Sequence, residues 1–153
     1  MSDTAVSVLD RPEWINPVNG TITSLFGMRV NPITMSQEFH NGLDIAVPEG
    51  TPVLSVRCAR VYHIGYTPIN GIYMRLRCDE GYQIVYAHLS EILAAVDDQV
   101  TQGDIVALSG NTGQSTGPHL HYGISRGGQR LDPLGRVAGL PKSPGAALEY
   151  ASR

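Results

Sequence analysis

The feature that most restricts the fold of this chain is its punctuation: short runs rich in β-branched and aromatic residues, each closed within a few positions by Gly, Pro or Asn. Such runs occupy positions 21–26, 52–64, 71–78, 83–88, 104–109 and 119–125. Only 90–96 reads as helical, and at that length it amounts to a turn or two beside a sheet. The expectation is a mainly β fold built on antiparallel strands, with loops walling a cleft and little helix. No βαβ alternation is present, no GxGxxG follows a strand, and no repeat of solenoid length recurs, so nucleotide-binding α/β folds and repeat architectures have nothing to rest on.

One domain is expected over 15–140. Residues 1–14 carry no strong period and read as an N-terminal extension, while 141–153, small-residue and rich in Pro and Gly, read as a flexible tail. The formal charge of -3 and the lack of any Lys/Arg cluster interleaved with aromatics argue against nucleic acid as a partner. No apolar stretch approaches the ~20 residues a transmembrane helix needs. The opening Met1-Ser2-Asp3-Thr4 lacks the basic and then apolar character of a signal peptide. A monomer is the expected state.

Chemistry concentrates in the histidines. There are five, and four fall in suggestive settings: His40 four residues before Asp44, His88 at a strand end, and His119 with His121. In His40-Asn41-Gly42-Leu43-Asp44 an extended backbone puts 40, 42 and 44 on one face, with a glycine where a side chain would crowd a bound ion. In His119-Leu120-His121 the same period of two sends both imidazoles to one face and Leu120 to the other. A catalytic tetrahedral zinc site needs three protein ligands and an open position, and His40, Asp44 and one of the HxH pair supply three. Each pattern alone reads more simply as a surface pair or an ordinary strand; the case rests on their coincidence. His63 has no partner nearby and is taken as structural or exposed. The helix-borne HExxH pattern is absent, so any proton acceptor must come from elsewhere.

Three blocks carry a resemblance: Phe39-His40-Asn41-Gly42-Leu43-Asp44, then Tyr86-Ala87-His88-Leu89, then Gly113-Gln114-Ser115-Thr116-Gly117-Pro118-His119-Leu120-His121. In order and spacing they resemble the signatures of the lysostaphin-type zinc endopeptidases, over roughly positions 16–140. Supporting matches lie in Gly27-Met28-Arg29-Val30-Asn31-Pro32, in positions 46–53 and in Asp132-Pro133. The resemblance implies one zinc ion held by His40, Asp44 and His121, with His88 and His119 as unligated catalytic residues, one accepting a proton and the other facing the oxyanion, in either order. It implies hydrolysis of peptidoglycan stem-peptide cross-links, through D-Ala to diaminopimelate bonds or glycine-containing bridges, outside the cytoplasm: in the periplasm, at the cell wall or by phage delivery. Relatives that serve only as wall-binding or scaffold domains lose some of these five positions, whereas all five are present here. Tyr86, placed by the period of two on the face of His88, is a candidate substrate contact together with Ser115 and Thr116. A hairpin centred on Pro68 would set Cys58 directly opposite Cys78, as neighbouring thiols or a bridge. Trp14 is expected to anchor the N-terminal segment.

Overall fold

A computed structural model describes residues 12–31 and 33–151, with side chains placed up to position 148. The extension expected over 1–14 therefore falls almost wholly outside the described residues. Twelve strands and one α-helix are named here: β1 (Thr21–Ser24), β2 (Gly27–Val30), β3 (Gln37–His40), β4 (Leu43–Ala46), β5 (Pro52–Leu54), β6 (Ala59–Thr67), β7 (Gly71–Cys78), β8 (Tyr82–Ile92), β9 (Gln99–Val100), β10 (Ile105–Ser109), β11 (Leu120–Arg126), β12 (Gln129–Leu131) and α1 (Pro144–Ala151). All pairings between named strands are antiparallel, and the central sheet runs β1-β4-β11-β8-β7-β6-β9. The mainly β expectation holds. The strands β2 and β3 form a separate hairpin beside this sheet.

Alternation along the central strands decides which face is dry. Ile84 and Tyr86 of β8, Leu120, Tyr122 and Ile124 of β11, and Leu43 and Ile45 of β4 are buried in one apolar cluster with Val53, Val56 and Val106. Burying a side chain of this size contributes about 1.5–3 kcal/mol, which is why this face sets the register of the whole sheet. The opposite face of β8 and β11 carries Gln83, Val85, Gly123 and Ser125 and remains open.

The strand β8 is the hinge of the topology. Its first part, Tyr82 to Ala87, pairs with β11, and from Leu89 onward it pairs with β10. Between them lies His88, in the left-handed region at φ 61°. Against β7, Ile72 faces Leu89 while Met74 faces Tyr86, so β8 has one residue too many: a β-bulge.

Four expectations need correction. Positions 90–96 are not helical, since β8 continues to Ile92, where its backbone pairs with β10, and a turn follows. The segment after 140 is not a loose tail over its described length. Pro141 accepts from the Ile22 amide, Ser143 donates back to Ile22 (both 2.8 Å), and α1 buries Ala146 against the core. The hairpin turns about Ile69 instead of Pro68, pairing Thr67 with Gly71 and His63 with Arg75, and a one-residue slip further along still leaves Ala59, not Cys58, opposite Cys78. Neither cysteine is in a disulfide, and burial pushes the Cys78 thiol up to about 11. The fourth concerns Tyr86 and belongs to the site. Trp14 anchors as expected, edge-on to Tyr82 at 5.1 Å with the Arg57 guanidinium over its ring.

Candidate active site

His40 closes β3 of the small hairpin, Asp44 lies in β4 and His121 in β11, directly across from Asp44 in the ladder. The chain leaves one sheet and enters the other at Asn41-Gly42, so His40 and Asp44 meet across a turn rather than along one extended strand. Gly42 is required there for a reason only the packing shows. A Cβ would stand 2.7 Å from Cε1 and Nε2 of His121 and 2.7 Å from the Tyr122 carbonyl oxygen.

Three ligating atoms converge: His40 Nε2 to Asp44 Oδ1 at 3.2 Å, His121 Nδ1 to Asp44 Oδ1 at 3.0 Å, and His40 Nε2 to His121 Nδ1 at 3.3 Å. Their protonation follows from what lies behind each ring. The His40 Nδ1–H donates to the Leu25 carbonyl (2.9 Å), and the His121 Nε2–H donates to Asn41 Oδ1 (3.1 Å). In the neutral rings, then, both inward nitrogens are bare lone pairs facing each other and a carboxylate oxygen. Such a triangle is repulsive unless a proton or a cation sits inside it. Tetrahedral zinc with bonds of about 2.0–2.2 Å has ligand-to-ligand edges of about 3.3–3.6 Å, a little longer than the separations found, so the donor set fits a small divalent ion. Among the described residues this is the one group of His, Cys, Asp or Glu with metal-holding geometry.

The second oxygen of Asp44 faces Arg29, whose guanidinium also reaches Ser24 and Glu38. Burial works against ionisation of Asp44, but His121 and His40 outweigh it and hold the carboxyl well below its usual range. Burial also depresses His121.

His88 and His119 face the same pocket, with ring centroids 4.8 Å apart. Each is pinned through Nδ1: His88 donates to the Thr112 carbonyl at 2.7 Å, and His119 to the Gly117 carbonyl at 2.8 Å. Their Nε2 atoms are thereby turned to the pocket as acceptors, and His119 Nε2 lies 3.8 Å from Asp44 Oδ1. Burial lowers His88 to about 4, with His119 and His121 adding to the effect.

The expected site residues divide cleanly. His40, Asp44, His88, His119 and His121 come together, and Ser115 and Thr116 line the same pocket. Ser115 Oγ donates to the Gly117 carbonyl at 2.9 Å and lies 3.1 Å from His119 Nδ1, so it braces that ring. Tyr86 is not there. The bulge at His88 breaks the period of two, leaving His88 on the open face and Tyr86 fully buried, where its hydroxyl donates to the Leu54 carbonyl (2.8 Å) and accepts from the Val56 amide (3.1 Å). Two residues were missed: Asn41, inside the first block but without a charge to mark it, and Arg29, in a flanking match. His63 is exposed and bonds the Tyr73 hydroxyl, apart from the site.

The model of peptidase family M23 matches residues 38–133 of this chain, a span that runs from two residues before His40 to beyond His121. The chain belongs to this family. Among the relatives of this M23 chain is the peptidoglycan DD-endopeptidase ShyA of Vibrio cholerae, 38% identical over 106 residues, which are 69% of this chain and 25% of that one. A zinc-containing peptidase from Vibrio cholerae superposes with a TM-score of 0.69 at 33% identity, covering 82% of this chain and 40% of the other. The catalytic domain of lysostaphin from Staphylococcus simulans gives a TM-score of 0.63 at 27% identity, over 77% and 86% of the two chains. The M23 chain spans about a quarter of the length of the curated relatives it matches. No helix among its described residues is long and apolar enough to cross a membrane.

Proposed function

We propose that this chain is a zinc-dependent endopeptidase that hydrolyses the peptide cross-links of bacterial peptidoglycan, and that it works outside the cytoplasm, where that substrate lies. The observation that carries the reading is the convergence of three proton-free acceptor atoms, His40 Nε2, Asp44 Oδ1 and His121 Nδ1, beside two further imidazoles whose Nε2 atoms face one open pocket. Zinc held by these three residues supplies a Lewis acid that makes water nucleophilic near neutral pH and polarises the scissile carbonyl.

The remaining work falls to the chain. Asn41 holds His121 in the tautomer that offers Nδ1 inward, and the Leu25 carbonyl does the same for His40 Nε2. His88 and His119 move the proton: an Nε2 lone pair takes it from the attacking water, and the same atom returns it to the leaving amine. With its pKa near 4, His88 enters neutral and gives up readily any proton placed on it. Ser115 keeps the His119 ring in line, and Thr116, exposed at the rim, is positioned to touch the peptide. The pocket is lined mainly by polar side chains, which suits the amide groups of a peptide.

The test is digestion of purified peptidoglycan of defined cross-link chemistry, with products identified by mass spectrometry, using the native chain and His119→Ala. Conversion of cross-linked dimers to monomers by the native chain alone, with equal zinc content in both proteins, is the expected result. No conversion of any cross-link type by the zinc-loaded native chain would overturn it.

A further inference from the structure

The groove does not end at the five-residue centre. It continues past His121 over the open face of the sheet, and Asn41, Asn70 and His121 line both stretches. The second stretch is floored by Val85 and Gln83 of β8 and by Gly123 and Ser125 of β11, and none of its lining residues is acidic. Two arginines flank it from opposite sides. Arg75 of β7 is in register with Val85 and, through it, with Gly123; Arg130 of β12 lies directly opposite Ser125.

These two guanidiniums differ from others in the molecule. Arg29, Arg57 and Arg60 each engage a carboxylate. Among the described residues Arg75 has only the ring of Tyr73, at 5.6 Å, and Arg130 is exposed without an ion-pair partner. The Tyr62 hydroxyl donates to Gln83 Oε1 at 2.9 Å, which leaves the Gln83 amide hydrogens for a ligand. The floor is bare at Gly123 although packing does not demand it: a Cβ there would make only ordinary contacts, 3.6 Å from the Asn41 carbonyl oxygen and 3.7 Å from Val85 Cβ.

We propose that this stretch is a subsite for a carboxylate of the peptide substrate, bound by Arg75 and Arg130. Along β11 the levels of Gly123 and Ser125 lie two and four residues from His121, about 7 and 13 Å at strand rise. An extended peptide covers that span in two to four residues, so the carboxylate recognised sits that far from the bond cut. A guanidinium fork matches a carboxylate in a way no neutral group does. The subsite therefore selects stem peptides that carry a free carboxylate over neutral bridges of the same length. This deepens the peptidase reading and rests on it for the identity of the peptide.

The experiment keeps the two separable. Binding of a synthetic stem-peptide dimer, with its acceptor C-terminus either a carboxylate or a primary carboxamide, is measured by calorimetry to the zinc-loaded His119→Ala protein. The acid form is expected to bind about tenfold tighter, the lower range for a hydrogen bond to a charged group. The preference should vanish on adding Arg75→Ala and Arg130→Ala and persist with Arg60→Ala. Equal binding of acid and amide, or a preference that survives the double substitution, overturns the subsite. Turnover of the dimer by the native chain is scored independently: turnover without an acid preference removes the subsite alone, and an acid preference without turnover removes the peptidase reading alone.

Discussion

Gly42→Ala adds a single methyl group and should disable the centre. The new Cβ would lie 2.7 Å from three atoms, two of the His121 ring and the Tyr122 carbonyl oxygen, where ordinary contact begins at 3.4 Å. Something must give by about 0.7 Å, the difference between those two distances. The Tyr122 carbonyl belongs to β11, which is laddered on both sides to β4 and β8, so what yields is the Asn41-Gly42 turn between His40 and Asp44 together with the His121 ring. Metal-ligand distances tolerate only about 0.2 Å. The ligands must therefore leave their places, and zinc affinity should fall at least as far as the 10–100-fold typical of losing an outer-shell partner. Overpacking should also cost about 1–3 kcal/mol, a few degrees to about 12 °C in melting temperature for a domain of this size. Chelator competition reports the first and a thermal melt of metal-free protein the second. Gly123→Ala, where the added Cβ meets nothing closer than 3.6 Å, is the control and should change neither. Wild-type zinc affinity in Gly42→Ala would refute the argument that this glycine makes room for the His121 ring.

Three further outcomes follow from the same geometry. Asn41→Ala removes the acceptor behind His121 and should weaken zinc binding about 10–100-fold while leaving the metal-free fold intact, as chelator competition and a thermal melt would show. Tyr86→Phe leaves the Leu54 carbonyl and Val56 amide without their buried partner, so it should cost about 1–3 kcal/mol in denaturant unfolding and leave turnover of the folded enzyme unchanged. The pH dependence runs through His88, whose pKa of about 4 lies below its unfolded value of about 6.5. Between these values the unfolded chain binds the proton and the folded one does not. Metal-free stability is therefore complete above about pH 6.5 and declines as pH falls toward 4, with His121 acting in the same direction. Asp44, depressed well below 3.8, adds its own loss only at lower pH. Melts between pH 4.5 and 7.5 should show this slope, and His88→Gln should reduce it.

The residues of the site were legible in the sequence because their chemistry is written in residue type and short spacing. Two histidines at a period of two share a face wherever the backbone stays regularly extended, and His119 and His121 both line the pocket. Strand β7 was bounded correctly at 71–78 because a glycine opens it and its apolar pattern runs unbroken to Cys78. What the sequence could not carry was every departure from regular pairing. A bulge is one residue too many relative to a partner strand that lies elsewhere in the chain, so neither the left-handed turn at His88, which sends Tyr86 into the core, nor the one-residue slip between β6 and β7 has a local signal. The same holds for contacts between distant segments: Ile22 receives 141–143, Asn41 supports His121, and Arg75 and Arg130 come to flank one groove. Local periodicity determined which residues bear the chemistry; long-range register decided which way each one points.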